Sequence, residues 1–245
     1  MTAALLASAL APAAASAVPS AAVGSARLVN CQSALDPDDR VATFEGRMRM
    51  ARGAARLQIR FTLQTRSRGR RWHAVPAPGF GRWLTSDPGV GRYVYTKRVV
   101  ALGAPASYRT LVRFRWLGRD GRRLAGDRST SPVCRQSDLR PNLRPLGAEP
   151  RAGADADHAR YVVPVENRGK SAADPFDVVV SVDGTTLAPA RAPALEPGES
   201  AILELEGPPC RDGVALTVDV DPTGEVDERS EADNRLSVAC PAAPA

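Results

Sequence analysis

At 245 residues the chain is long enough for one large domain or for two of about 110 residues, each burying its own core. Its net charge of +6 hides a division: residues 27–137 carry 23 Lys+Arg against 7 Asp+Glu, net +16, whereas residues 138–245 carry 10 against 20, net −10. Two histidines and four cysteines without a C-x-x-C spacing argue against a structural zinc site, and the charge asymmetry points to two halves that face different partners or each other.

Residues 1–17 are apolar, small and uncharged, and Ala15-Ser16-Ala17 has the form of a signal cleavage site, with Gly24-Ser25-Ala26 as a later alternative. The sequence therefore predicts a secretory leader over residues 1–26, although it lacks the usual basic start. Neither this run nor any later one reaches the ~18 apolar residues of a membrane-spanning helix. Leu28-Val29-Asn30-Cys31 makes a poor lipoprotein box, because Asn precedes the cysteine and Arg27 interrupts the apolar run. An oxidising compartment suits the cysteines. Four of them permit three connectivities, of which Cys31–Cys134 and Cys210–Cys240, one bridge per half, is the most economical.

Beyond the turn at Asp36-Pro37-Asp38-Asp39, strands are expected from Val41 to Met50 and over residues 55–65. In the second of these Leu57, Ile59, Phe61 and Leu63 point one way and Arg56, Gln58, Arg60, Thr62 and Gln64 the other. The Gly- and Pro-rich stretch 76–91 reads as loop. Strands resume over 92–100 and over 107–117, where Tyr108, Thr110, Val112, Phe114 and Trp116 alternate with Arg109, Leu111, Arg113, Arg115 and Leu117. A turn at Gly118-Arg119-Asp120-Gly121 leads to a short strand ending at Cys134. Helical periodicity is absent throughout, so residues 27–137 read as a basic β-sandwich.

Residues 135–142 form a boundary too short for a flexible tether. After it, apolar alternation recurs at Tyr161, Val163 and Val165, then at Phe176, Val178, Val180 and Val182, with Asp183-Gly184 as a hairpin turn. Ala201, Leu203 and Leu205 face inward, opposite in parity to Glu204 and Glu206, and the series continues through Val214, Leu216, Val218, Val220, Leu236 and Val238. About seven short strands with turns every 8–12 residues is the pattern of an immunoglobulin-like sandwich. The fold expected is thus all-β, two tandem immunoglobulin-like β-sandwich domains at 27–137 and 138–245.

Five ordered motifs sharpen the reading of the second half: Pro141-Asn142-Leu143, Val165-Glu166-Asn167-Arg168-Gly169, Val182-Asp183-Gly184, Leu195-Glu196-Pro197-Gly198-Glu199-Ser200, and Asp221-Pro222 with Val226, Glu228, Glu231 and Asn234. The series resembles the CARDB family, the cell-adhesion-related domain found in bacteria, over about 138–240. Two positions depart from the family pattern: Asn142 stands where Asp is usual and Asp233 where a second Asn is common. The resemblance implies an extracellular seven-stranded sandwich, one module among several in surface or secreted proteins, with no defined ligand and no catalysis. Asn167 and Gly169 suit a turn that needs side-chain capping and a positive φ.

Three constellations stand out as candidate sites. Asp219, Asp221 and Asp227 partly match a calcium loop, with Gly224 at the glycine position, yet Ser230 stands where a bidentate Glu belongs. Calcium is thus the one cofactor to weigh, against acids that merely cap and solvate a turn. Arg56, Arg60, Arg109, Arg113 and Arg115 would form a basic sheet face if their strands are neighbours, offering bidentate geometry to phosphate, sulfate or carboxylate; the plainer reading is a solvated face. Trp72 and Trp83 flank the Gly/Pro loop, where they would either stack on a ring beside Arg82 or plug the sandwich end. His73 and His158 sit in no nucleophile motif.

The sequence therefore reads as a secreted, non-catalytic binding or adhesion module. Its expected partner is an extracellular protein or an anionic polysaccharide of the cell envelope, with no nucleic acid and no membrane span. The alternative is a structural spacer in which the oppositely charged halves pack together.

Overall fold

The computed structural model describes residues 23–240, so the leader up to residue 22 lies outside the described residues. The first half comprises β1 (Gly24–Gln32), β2 (Val41–Arg49), β3 (Arg56–Arg66), β4 (His73–Ala74), β5 (Trp83–Thr85), β6 (Arg92–Val99), β7 (Ala106–Leu117), β8 (Arg123–Thr130) and β9 (Cys134–Gln136). The second comprises β10 (Leu143–Pro145), β11 (Glu149–Ala152), β12 (Ala159–Asn167), β13 (Phe176–Val182), β14 (Thr185–Thr186), β15 (Ala190–Ala192), β16 (Ser200–Gly207), β17 (Ala215–Val220) and β18 (Arg235–Ala239). Each half closes two antiparallel sheets over its own apolar core.

In the first half, β1–β2–β6 face a sheet in which β3 and β7 are central, with β4 and β5 beside β3 and with β8 and β9 beside β7. The predicted alternation holds. Leu57, Ile59 and Phe61 lie opposite Trp116, Phe114 and Val112, and all six are buried. Trp116, the one tryptophan in this core, donates its indole N–H to the Arg49 carbonyl at 2.7 Å, which satisfies the polar atom that burial would otherwise strand.

Two expectations need correcting here. Gly24-Ser25-Ala26, read as leader, begins β1: these residues pair with Met48, Arg47 and Gly46. The Gly24 and Ala26 amides also donate to Asp127 and Ser129. A Cβ on Gly24 would sit 2.2 Å from the Phe114 ring, so the small residues that mimic a cleavage site answer to close packing instead. Likewise the Gly/Pro stretch 76–91 is not all loop, since Trp83–Thr85 pairs with β3.

In the second half β12 is flanked by β10 and β11 on one side and β16 on the other, facing β13–β17–β18 with β14 and β15 at the edge of β13. Tyr161, Phe176, Leu143, Leu195 and Leu216 fill the space between the two sheets. The hairpin at Asp183-Gly184 has φ of 50° and 76°, the doubly positive pair of a type I′ turn. Gly169 is there for a different reason from the one expected. It is not among the glycines with positive φ; a Cβ there would lie 2.4 Å from the Pro141 Cα. Both disulfides join the pairs expected, Cys31–Cys134 across β1 and β9 and Cys210–Cys240 around β17 and β18.

Candidate functional site

The antiparallel register of the β3 sheet builds its outer face. Trp83 lies opposite Arg60, Arg60 opposite Arg113 and Arg113 opposite Arg128, so one transverse row crosses four strands as Trp-Arg-Arg-Arg. Like charges directly opposite on neighbouring strands destabilise a sheet, and no ion pair among the described residues relieves this row. Among the described residues the only ion pair within 27–137 is Arg47–Glu45. Asp127, whose two oxygens accept from the Gly24 and Arg128 backbone amides, each at 2.7 Å, supplies the one negative charge beside the row. The Arg60 Nε is buried without a hydrogen-bond partner.

Beside this row Arg115 lies opposite Gly126, where a Cβ would meet the Arg123 guanidinium at 2.2 Å. The glycine thus lets Arg123 lie across the strand. Trp83, Arg113, Arg115, Arg123 and Arg128 line an open groove of ≈ 380 Å³. At the other end of β3, Arg66 borders a second cleft of ≈ 750 Å³ lined also by Arg68, Arg70, Arg135 and Arg229.

The two half-buried tryptophans lie on this outer face, not in the core. Arg115 and Arg60 stack on Trp83 with guanidinium carbons 3.9 and 5.3 Å from the ring centroid, and Arg109 and Arg66 stack on Trp72 at 4.2 and 4.8 Å. Of the sequence candidates, Arg60, Arg109, Arg113, Arg115, Trp72 and Trp83 are therefore brought together. Arg56 shares their face at the start of β3, opposite Leu117, without joining either stack. Sequence reasoning misses Arg66, Arg123 and Arg128; Arg66 continues the outward parity of β3, whereas the β8 pair depends on a register that sequence does not display.

The acidic candidates are held apart by separate duties. Asp221, with φ 47°, accepts the Glu225 and Val226 amides at 3.0 and 2.9 Å and so caps its own turn. Asp227 pairs with Arg140 at 2.7 Å and Asp219 with Arg235 at 3.5 Å. Among the described residues no group of three or more His, Cys, Asp or Glu side chains is placed to hold a metal ion. Neither histidine bonds a serine: His158 pairs with Asp155 at 2.6 Å and His73 is exposed.

What the loop after β17 does instead is lock the sandwich. The buried Glu228 accepts the Leu143 amide and, at 2.8 Å, the Asn234 side chain. Burial pushes its carboxyl up to about 7, with Glu231 and Asp221 adding repulsion, despite those two bonds. On β12, Asn167 accepts the Asn142 and Gly169 amides and donates to the Ser171 and Leu195 carbonyls. The motif residues thus meet around the start of β10, and the CARDB family model matches residues 137–238. Residues 137–238 are a CARDB domain.

The two departures of this CARDB domain from its family pattern prove to be one contact. Asn142 Nδ2 donates to Asp233 Oδ2 at 2.8 Å, so an amide and a carboxylate meet there. Burial alone would push the Asp233 carboxyl up; the bonds from Asn142 and Ser230 hold it below the ordinary carboxylate range. Asn142→Asp alone would set two carboxylates face to face beside Glu228 and is expected to cost about 2–4 kcal/mol. Asn142→Asp/Asp233→Asn should recover most of that loss, with a coupling of about 1–3 kcal/mol in a denaturant double-mutant cycle. Additive losses would show that the two side chains do not depend on each other.

No curated protein matches the chain. Among solved structures it is similar to a cell-surface protein domain from Methanosarcina acetivorans, at 24% identity over 43% of this chain and 94% of that one, TM-score 0.39. It is also similar to the CARDB domain of a Pyrococcus furiosus protein in complex with di-metal ions, at 23% identity over 42% and 90%, TM-score 0.36. A third likeness is a Mobiluncus mulieris adhesin with intramolecular cross-links, at 10% identity over 89% and 94%, TM-score 0.29.

Proposed function

We propose that the chain is an extracellular, non-catalytic adhesion-type module that docks acidic cell-envelope polymers on the outer face of β3, β7 and β8, with the CARDB domain as its companion β-module. The observation that carries this reading is the row Arg60–Arg113–Arg128 beside a groove lined by four guanidiniums and Trp83. A polyanion would supply the counter-charges that Asp127 alone does not, through bidentate contacts for which arginine is suited. Two disulfides support an oxidising, extracellular setting. Among the described residues no helix is long and apolar enough to cross a membrane. The spacer alternative has less support, because among the described residues no ion pair joins 27–137 to 138–240.

Titration calorimetry with a polyuronate tests the proposal. Binding should weaken about tenfold or more between low and high salt, since exposed charges are screened beyond the ~10 Å Debye length. Arg113→Glu/Arg128→Glu should abolish it, whereas the charge-matched Arg92→Glu/Arg98→Glu on β6, in the opposite sheet, should leave it nearly intact. Equal losses from the two changes would reduce the interaction to net charge and overturn the assignment of this face.

A further inference from the structure

The two tryptophan stacks repeat one design. In the first, Trp83 takes Arg60 from β3 and Arg115 from β7; Arg115 lies opposite Gln58, two residues before Arg60. In the second, Trp72 takes Arg66 from β3 and Arg109 from β7; Arg109 lies opposite Gln64, two residues before Arg66. Each tryptophan comes from a segment flanking β3: Trp83 within β5, and Trp72 next to His73, which pairs with Thr65. The second assembly is therefore the first displaced by six residues along both central strands, about 20 Å at the rise of a β-strand.

A guanidinium held over an aromatic face keeps, for a carboxylate, sulfate or phosphate, the N–H donors that the ring does not use; Arg109 gives its Nε–H to Gln64 and retains its terminal donors. The ring restricts the rotamers of two long side chains that would otherwise be ordered only on binding. We infer that Trp72 and Trp83 are positioning residues, and that the face carries two equivalent oxyanion receptors about 20 Å apart for a linear polyanion lying along β3. This rests on the docking function proposed above. Between the two stacks the outward residues Thr62 and Gln64 on β3 and Leu111 on β7 are uncharged, Arg113 lying in the row of Arg60 and so belonging to the first receptor; Gln64 accepts from Arg109 Nε at 2.9 Å. The ligand's charge thus matters at two places and its backbone need only bridge them.

A length series of oligogalacturonates tests this on the full chain at low salt. Oligomers too short to span about 20 Å should bind weakly, at up to two per chain. Oligomers long enough to span it should bind one per chain and about 100-fold more tightly, because the second contact becomes intramolecular. Trp72→Leu or Trp83→Leu should remove the step in affinity while short oligomers still bind the intact receptor and the melting temperature holds; Trp→Phe should restore part of the step. A smooth rise in affinity with length would overturn the two-receptor arrangement and leave the docking function standing, provided Arg113→Glu/Arg128→Glu still abolishes binding. Failure of every oligomer and of long polyuronate to bind would overturn both.

Discussion

Asn167→Ala is expected to cost the second half about 3–5 kcal/mol, among the largest single effects of any polar substitution in the chain. The side chain is fully buried and uses all four of its hydrogen-bonding positions. Oδ1 accepts the Asn142 and Gly169 amides at 3.1 and 2.9 Å, and Nδ2 donates to Ser171 and Leu195 at 2.9 and 2.8 Å. Truncation does not strand all four partners equally. The Leu195 carbonyl keeps the Ala173 amide at 2.9 Å, and Ser171 is only half-buried. Two buried amides are left with nothing, at about 1–3 kcal/mol each, together with a void where an amide group had been. Asn167→Asp should not rescue, because its carboxylate would face the Ser171 and Leu195 carbonyls. In calorimetry the second-half transition should fall by roughly 15 °C or more at the ~4–8 °C per kcal/mol of a domain this size, with the first-half transition unmoved. A fall of only a few degrees would mean that water replaces the side chain, and Asn167 would lose its place as the joint between β12 and the start of β10.

Which side each strand presents is legible in the amino-acid sequence alone, because period-two alternation is local. Leu57, Ile59, Phe61 and Leu63 point inward and Arg56, Arg60 and Arg113 outward, as side-chain parity requires. Register is different in kind. That Arg113 lies between Arg60 and Arg128 depends on pairings across 53 and 15 residues, which no local pattern displays. The tryptophans show the same limit: loop neighbours in sequence, they fold onto opposite ends of one sheet face, and only then does a repeated receptor emerge. Gly169 and Gly24 are small because distant backbone and a distant ring press on them, a cause that composition disguises as turn chemistry or as a cleavage site. Asn142 and Asp233 stand out singly in the sequence, but 91 residues separate them, and their pairing is legible only as a contact.

Removing the Cys31–Cys134 bridge with Cys31→Ala/Cys134→Ala is expected to destabilise the first half by about 4–5 kcal/mol, the larger of the two disulfide effects in the chain-entropy model. The bridge closes a sequence separation of 103 residues, against 30 for Cys210–Cys240, and closure entropy grows with the logarithm of loop length. It also joins the two sheets, since Cys31 lies on β1 and Cys134 on β9. Without it β1 remains in place by its ladder to β2 and by the bonds that Asp127 and Ser129 accept from Gly24 and Ala26. Those contacts are noncovalent, and the domain they hold carries a net charge of +16 over residues 27–137, whose self-repulsion favours expansion. A net stability of ~5–15 kcal/mol for an ordinary domain leaves little after such a loss. The first-half transition should therefore drop by about 15 °C or more, should recover in part with added salt as the repulsion is screened, and should rise again when a polyanion is bound. The same substitutions should leave the CARDB transition where it was. A bridge-free first half that melts within a few degrees of the native one would show that β1 is secured by its ladder alone, and would remove the covalent link between the β1–β2–β6 sheet and the sheet carrying the arginine face.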